Sequence, residues 1–554
     1  MAIEWRRGAA AVVVGHRHHG SLRGCFFIHR VCDRYDSLQR RCRARTGAAG
    51  LGRARFLGGR DGFHLLSLWS WARGTASLTL VALGFLTGGV ALGLVVGAIP
   101  GLTATLAIAL LLPFTFSLET VDALLALTGI YVGGIYGGSI TAITVRIPGA
   151  PANTMTLLDG HAMAQAGRTE EALGLATFSS FVGGIAGGVV LVLFAPQLAR
   201  LSLEFQSPEV FSLVVFALVA VAAVSTGPLT KGLAATTLGL MLSTVGLDRL
   251  VPVSRFSMGV PDLLAGIPLL PVVIGLFALS ELFWQASEKL TSLEKPAIEW
   301  RRVFDFIPTV KRVGVALFAK SAAIGAFVGA LPGGGAAMSA FLAYAEAKRS
   351  SPNPDAFGTG IPEGIIAPET ANNAMTGGAF VPMLALGIPG DAVTAVILGG
   401  LIIQGLTPGP TLFRDAGDVM TPLFVGYFLA YVLVLVLGLA LLPWFARLAT
   451  IDRKYLLPFI GSVSLVGAYA SERTAFAMGL TVAIGIFGYT LRRFDYPLVP
   501  VLLGLILGPL LETNFRRSLM LSENGAWIFV SSPLSAGLLI GAAVLVIHFA
   551  RRNR

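Results

Sequence analysis

Residues 361–375 read IPEGIIAPETANNAM, setting Glu363 and Glu369 beside the paired amides Asn372 and Asn373 in an otherwise apolar region. On a helix, Glu369, Asn372 and Asn373 form an i, i+3, i+4 set, and Glu363, Thr370 and Asn373 share a face at spacings of seven and three. Amides suit a polar solute, and a carboxylate at membrane depth suits proton or sodium handling. The same glutamates at an interface would instead supply negative charge to a helix start. Glu369, nearer the amides, is the first choice for ion coupling and Glu363 the second. Pro362 and Pro368 predict a segment that is helical only in part.

A second set of residues recurs around four Pro-Gly pairs: Pro100-Gly101, Pro148-Gly149, Pro332-Gly333 and Pro389-Gly390. Proline removes a backbone donor and glycine permits the turn that follows, so each pair breaks a helix. Broken backbone inside a bilayer must be buried in protein or line a watery cavity, and the N–H groups of the helix that restarts attract anions. The four breaks are expected to form one anion-binding centre, Gly334 included. Near them lie Thr103, Ser139, Thr141, Asn153, Thr154, Thr156 and Thr370. Any one hydroxyl has a plainer role as packing between helices. Asn153, Asn372 and Asn373 stand out because burying an unpaired amide is costly. Arg146, beside the second break, either pairs with a solute carboxylate or reaches to the surface. Asp391 reads as a helix N-terminal charge. The stretch 157–176 reads as a surface loop, whose Asp159 and His161 lack a third ligand for a metal.

The elements that must hold these residues are membrane helices. Of 554 residues, 55% are hydrophobic and 13% charged, against about 25% charged in soluble domains, and mean hydropathy is +0.76. Runs such as 77–99, 172–196, 424–446 and 532–550 are long enough to span a bilayer, and about 12 such runs are expected. The fold class is an all-α polytopic membrane protein with Pro-Gly-broken or re-entrant helices.

Two halves are expected, 76–285 and 313–554, separated by a polar linker, 286–312. GAIPGLTATLAIAL (97–110) matches GALPGGGAAMSAFL (329–342), and GGSITAITVRIPGAPANTMTLLDG (137–160) matches GGAFVPMLALGIPGDAVTAVILGG (377–400). Such internal repeats are the usual build of a secondary transporter, and parallel and inverted arrangements are both open. The linker holds Lys289, Lys295, Arg301, Arg302, Lys311 and Arg312, and the chain closes on RRNR, so both are expected in the cytoplasm with an even number of crossings between them.

The net charge of +11 is not a nucleic-acid signal. Residues 1–75 hold 14 arginines against four acidic residues, leaving +1 for everything else. This leader also holds Cys25, Cys32, Cys42 and the string HRHH (16–19), without the paired spacing of a zinc site. A basic arm, a targeting peptide, a metal site and a start codon placed too early are the four readings. Disorder or a mis-assigned start is preferred, and the leader is set aside.

No nucleotide-binding lysine motif, HExxH or GxSxG elbow occurs, so the chain is not read as an enzyme. A polytopic enzyme acting on a lipid-linked substrate, or a passive anion channel, are the alternatives to a transporter. The enzyme would want clustered acids for a divalent metal, and the chain shows no such cluster on a helix.

From about residue 76 onward the chain resembles the large permease subunit of the tripartite tricarboxylate transporters, the TctA family. The likeness is carried by ALPGGGAAMSAFLAYAEAKR, EGIIAPETANNAMTGGAFVPMLALGIPGDAVTAVILGGLIIQGLTPGP and IPGAPANTMTLLDGHAMAQAGR. It implies a multi-pass permease of the bacterial inner membrane that imports tricarboxylates or related organic acids, driven by a sodium or proton gradient and without a cofactor. It implies two protein partners and no nucleic acid: a small TctB-like membrane subunit and a periplasmic, TctC-like solute-binding protein. Its site residues would be Gly101, Gly149, Asn153, Gly333, Gly334, Glu369, Asn372, Asn373 and Gly390.

Overall fold

The computed structural model describes residues 78–225, 227–251, 253–287, 298–448 and 453–552. The basic leader and the middle of the linker lie outside them. The described chain is helical, with one short antiparallel pairing, Gly246–Leu247 with Ser254–Arg255. Shorter pieces aside, the helices of the first half are α1 (Leu80–Gly97), α2 (Ala104–Leu111), α3 (Thr120–Val145), α4 (Thr154–Gln165), α5 (Thr169–Ser202), α6 (Ser207–Val224), α7 (Leu229–Ser243) and α8 (Leu269–Ser287). Those of the second are α9 (Phe306–Val313), α10 (Val315–Ala330), α11 (Gly335–Ser350), α12 (Glu363–Leu386), α13 (Ala392–Ile403), α14 (Gly417–Ala440), α15 (Arg453–Glu472), α16 (Ala475–Arg493), α17 (Leu498–Leu521) and α18 (Pro533–Arg552).

Among the described residues nine helices are long and apolar enough to cross a membrane, or ten if the bent pair Arg302–Val313 and Val315–Ala330 is one span. Three further apolar helices among the described residues, Ala104–Ser117, Ala392–Ile403 and Leu456–Glu472, are shorter, and together with the nine long ones they match the expectation of about 12 apolar helical runs. The helical stretch Ala104–Ser117 and α13 hold 14 and 12 residues, roughly 20 Å of helix each against a hydrocarbon core of about 30 Å. The protein is an all-α polytopic membrane protein.

Each Pro-Gly pair ends one element and starts another. After α1 the chain turns at Gly101 (φ +84°) and α2 restarts at Thr103, whose hydroxyl accepts from Leu106 N. After α3, Arg146 closes the helix in the left-handed region (φ +57°) and the chain doubles back to α4. The second half repeats the order, with breaks between α10 and α11 and between α12 and α13.

The packing within each half follows from glycines that leave no room for a side chain. A Cβ at Gly89 would meet Ala126 O at 2.4 Å and one at Gly97 would meet Gly134 O at 2.7 Å, so α1 and α3 run in the same direction. A Cβ at Gly325 would meet Ala371 O at 2.1 Å and one at Gly329 would meet Met375 O at 2.2 Å, which aligns α10 with α12 in the same way. Between the halves the sense reverses. Ser139, late in α3, bonds Glu369, early in α12, while Tyr131, earlier in α3, packs on Phe380, later in α12, at 5.7 Å between centroids. Corresponding helices therefore run antiparallel, and the two sets of elements are related by inverted topology.

The segment from 298 into α9 rests on the α4–α5 turn: Glu299 N donates to Glu170 and Arg302 to Gly167 O. At the far end of α5, α6 begins, and Ser212 there bonds Ser535 near the start of α18 (2.7 Å). The turn between α7 and α8 carries the strand pairing, tied to α17 by bidentate Arg255–Glu512 bonds and by Arg516–Asp248. Backbone N–H groups of Val251 and Leu250, with Arg516, hold the Asp248 carboxyl well below the usual carboxylate range.

Candidate functional site

The stretch 363–386 is one unbroken helix despite Pro368 and Pro382. Pro368 is the sixth residue of α12, where its missing N–H deletes a single bond near the helix start. The break predicted at IPEGIIAPETANNAM thus falls later, at Gly387 (φ +70°) and Pro389-Gly390. Nearly every side chain of α12 is buried, its polar ones included.

Glu369 is fully buried, and three hydroxyl groups from the other half donate to its carboxylate. Ser139 Oγ on α3 and Thr156 Oγ1 on α4 reach Oε1 at 2.6 and 2.5 Å, and Ser180 Oγ on α5 reaches Oε2 at 3.0 Å. Asn153 Nδ2 donates to Ser139 Oγ (2.8 Å), and Asn373 Nδ2 donates to Ser180 Oγ (2.8 Å) and to Glu369 O (2.9 Å). Further along α12, Thr376 donates to Asn373 O and bonds Tyr427 and Tyr431 of α14. Glycines bring α5 close enough for this: a Cβ at Gly183 would lie 2.1 Å from Thr370 O, and one at Gly187 would lie 2.6 Å from Ala374 O. Among the described residues no lysine or arginine is bonded to Glu369. Both polar atoms of Asn372, Asn373 Oδ1, Thr370 Oγ1 and Ser179 Oγ are buried and make no hydrogen bond within the protein.

Beside this cluster lies a cavity of about 330 Å³, within the range of small-molecule sites. Its wall is built from the residues that follow all four breaks: Thr103–Thr105, Ala150–Ala152, Gly333–Met338 and Asp391–Val393, closed by the end of α6 and the start of α17. The starts of α2, α11 and α13 and the turn that leads into α4 thus converge. Thr103 caps α2 and Asp391 caps α13, whereas no side chain caps α11. Asp391 Oδ1 accepts from Thr394 N (2.8 Å) and Thr394 Oγ1 (2.6 Å), and Oδ2 accepts from Tyr131 OH (3.0 Å). Cavity and cluster are linked, since Ala150 N donates to Asn153 Oδ1 at 3.2 Å and Asn153 continues to Ser139 and Glu369.

The structure divides the residues selected from sequence. Thr103, Gly333 and Gly334 line the cavity, while Ser139, Asn153, Glu369 and Asn373 form the buried cluster. Gly149 and Gly390 act as close-approach points, one against Gly138 and Gly97, the other against Gly329 and Ala379. Gly101 O accepts from Gln285 Nε2 of α8 at 2.8 Å. Thr154 is exposed and joins neither group; Thr156, one half-turn on, is the residue that meets Glu369. Asn372 is buried one position from the cluster's Asn373. Glu363 sits half-buried in the first turn of α12, with Oε2 unpaired, away from the hydroxyl groups. Arg146 is exposed at the end of α3 and does not line the cavity.

The stretch 157–176, expected as a surface loop, is helix α4, a short turn and the start of α5. Asp159 is fully buried there, its Oδ1 accepting from the N–H groups of Gly358, Gly360 and Ile361 at 2.8–3.0 Å, and its Oδ2 from Tyr344 OH (2.8 Å). This carboxylate fastens the turn that leads into α12. His161 bonds Ile143 O at 3.0 Å. Ser180, Tyr131, Tyr427 and Tyr431 were not selected from sequence. A hydroxyl pair, Ser179-Ser180, amid the apolar run of α5 was the available signal for the first; for the tyrosines there was none.

Comparison with known proteins gives a consistent result. Residues 83–503 match the family described as the tripartite tricarboxylate transporter TctA family. The chain is 36% identical over 463 residues, 83% of its own length and 91% of the relative's, to an uncharacterized 52.8 kDa protein in the TAR-I ttuC' 3' region of Agrobacterium vitis. It is also 37% identical over 223 residues, 40% of its length and 92% of the relative's, to an uncharacterized protein in the TAR-II ttuC' 3' region of the same organism. No solved structure matches.

Proposed function

The chain belongs to the tripartite tricarboxylate transporter TctA family, and from that premise we propose that it is the permease through which an organic carboxylate enters the cell, driven by a cation gradient. The large-subunit assignment comes with the family. The reading for the cavity is that it holds the carboxylate, and the observation that carries it is the convergence there of three helix starts and the turn that leads into a fourth helix. A helix N-terminus presents unpaired N–H groups and roughly half a positive charge, which suits an anion without a fixed cationic partner.

Glu369 is the residue proposed for ion coupling. A lone buried carboxylate costs several kcal/mol unless it is neutralised or paired. Here it meets only hydroxyl groups, an all-oxygen set suited to holding a proton or a sodium ion. Through Asn153 its hydrogen bonds extend to Ala150 in the cavity wall, so occupancy of one site bears on the geometry of the other. Glu363 supplies favourable charge at the start of α12. A small membrane subunit and a periplasmic binding protein are proposed as partners, and the bacterial inner membrane as the location.

Reconstitution into proteoliposomes tests this, with the small subunit present, the binding protein outside, and a panel of tri-, di- and monocarboxylates. Uptake is expected only with the binding protein and with an imposed sodium or proton gradient. Flux of a carboxylate down its own gradient, needing neither, would overturn coupling and leave a channel.

A further inference from the structure

Four arginines gather where the α7–α8 turn meets α17, and only two of them have partners. Arg255 makes bidentate bonds to Glu512 (2.7 and 3.0 Å), and Arg516 bonds Asp248 (2.6 Å) and Glu512 (3.1 Å). Arg249 and Arg517, each next in sequence to a member of that network, are exposed and make no hydrogen bond or ion pair with the described residues. Both line a cavity of about 390 Å³ that shares no lining residue with the helix-break cavity. Its lining includes no acidic side chain. The other polar side chains there are Thr407, Thr513 and Asn514, and the rest of the wall is aliphatic residues, proline and glycine.

The ends of α12 and α13 do not account for the two charges. A helix C-terminus favours a cation, and Leu386 and Ile402 belong to this wall. Their last carbonyls are held by the turns themselves, however. Leu384 O accepts from Gly409 N (3.0 Å), Leu401 O from Leu406 N (2.9 Å) and Ile402 O from Gly405 N (3.0 Å). Two guanidinium groups facing one space with no acid in its wall are completed by an anion, and guanidinium matches a carboxylate in shape as well as charge.

The place of the cavity in the fold says which anion. The turn into α12 is bound to Asp159 of α4, beside the α4–α5 turn that carries the segment from 298. Leu386 and Gly387 lie at the opposite end of that 24-residue helix, roughly 36 Å away. The cavity therefore lies on the face away from the linker, the outward face when the linker's cations are cytoplasmic. Two helices join it to the helix-break cavity. Ala392 of α13 and Leu498 of α17 line that cavity, and Ile402 and Leu510 of the same helices line this one.

We propose that Arg249 and Arg517 form a second carboxylate site, which holds an organic acid at the outward face before it passes to the helix-break cavity. This rests on the carboxylate reading of the solute, but it works through fixed cations rather than helix starts. The chain then binds two carboxylates at equilibrium, one in each cavity.

Counting sites tests it. The purified full chain, in nanodiscs of phosphatidylcholine with sodium present, is titrated calorimetrically with the panel of tri-, di- and monocarboxylates. Wild-type protein is expected to bind two per chain. Arg249→Gln with Arg517→Gln is expected to bind one, the outer site weakening at least about tenfold with the loss of two charge-assisted bonds. Arg249→Lys with Arg517→Lys keeps the charge and is expected to bind two, the outer one more weakly. Arg249→Gln alone, which should weaken the outer site only, serves should the double variant not fold. A wild-type stoichiometry of one that the glutamine variant retains would overturn the proposal and leave the helix-break reading standing. A stoichiometry of one that the variant loses would support this site and overturn the other. Two sites that survive in the glutamine variant would overturn the proposal, and no binding of any carboxylate would overturn both readings together. Phosphatidylglycerol that co-purifies with the wild type and not with the glutamine variant, read by native mass spectrometry, would overturn the assignment to a solute and make the anion a lipid phosphate.

Discussion

The turns 147–153 and 388–394 have the same backbone plan and different chemistry. Both follow a long helix, double back through Ile-Pro-Gly, and restart a helix whose third residue after the cap holds the cap's N–H. In the first half that residue is Asn153, and its second polar group reaches on to Ser139 and so to Glu369. In the second half it is Thr394, whose one hydroxyl is used up within the turn, and the cap residue Asp391 carries a carboxylate held by Thr394 and Tyr131. Inverted duplication supplies a frame twice, and single substitutions then give one copy a relay and the other a charge. The same asymmetry separates Glu369 from its counterpart: it stands eight residues before Gly377, as Gly129 does before Gly137.

The hardest way to break this comparison is to exchange those two residues. Gly129→Glu with Glu369→Gly should yield no monodisperse protein on size-exclusion chromatography, because even a Cβ at 129 would lie 2.7 Å from Leu86 O. A folded, transporting double variant would mean the halves are interchangeable. Next, Glu369→Gln should lower gradient-driven uptake by about a hundredfold, the scale of a lost charged hydrogen-bonded site, while the chromatographic profile stays unchanged. Unaltered uptake would remove Glu369 from coupling.

A finer contrast lies in the turns themselves. Asn153→Ala should lower uptake by about tenfold, as expected for one buried side-chain bond. Thr394→Ala should instead lower thermal stability by about 1 kcal/mol, since it removes part of a helix cap. Equal effects of the two variants on both readouts would erase the distinction drawn between relay and cap.

The smallest effect belongs to a region outside both turns. Because the folded Asp248 carboxyl titrates below its unfolded value of about 3.9, its contribution is complete above that pH. It is lost as the pH falls through the lower folded value. Limited proteolysis of the 246–264 segment should rise over that acid range in the wild type and show no such pH step in Asp248→Asn.

Much of this was legible in the residues. Apolar runs gave a polytopic helical protein, and Pro-Gly pairs located four breaks, because proline's missing donor and glycine's freedom act wherever they occur. The breaks' joint role around one cavity was expected from their repetition, and Glu369 and Asn373 from their polarity amid apolar neighbours. Span count was less legible, because a run of 12–14 apolar residues has the composition of a crossing without its length. The extent of α12 was misjudged: a proline near a helix start costs one bond, and the surrounding helices repay it in packing.

What the sequence by itself determined was the local grammar: which runs are helical and lipid-compatible, where each must break, and which few side chains are too polar to be there by default. It carried these because propensity, hydropathy and backbone sterics act over a few residues. What only the tertiary structure decided was direction and pairing. The halves run oppositely, Ser139, Thr156 and Ser180 converge on a glutamate some 190 to 230 residues away in the chain, and Arg146, the one cation beside a break, is exposed and does not line the cavity whereas Asp391 is among its lining residues. Those outcomes depend on how closely glycine-faced helices can approach one another, and contacts between distant segments leave no periodic trace along the chain.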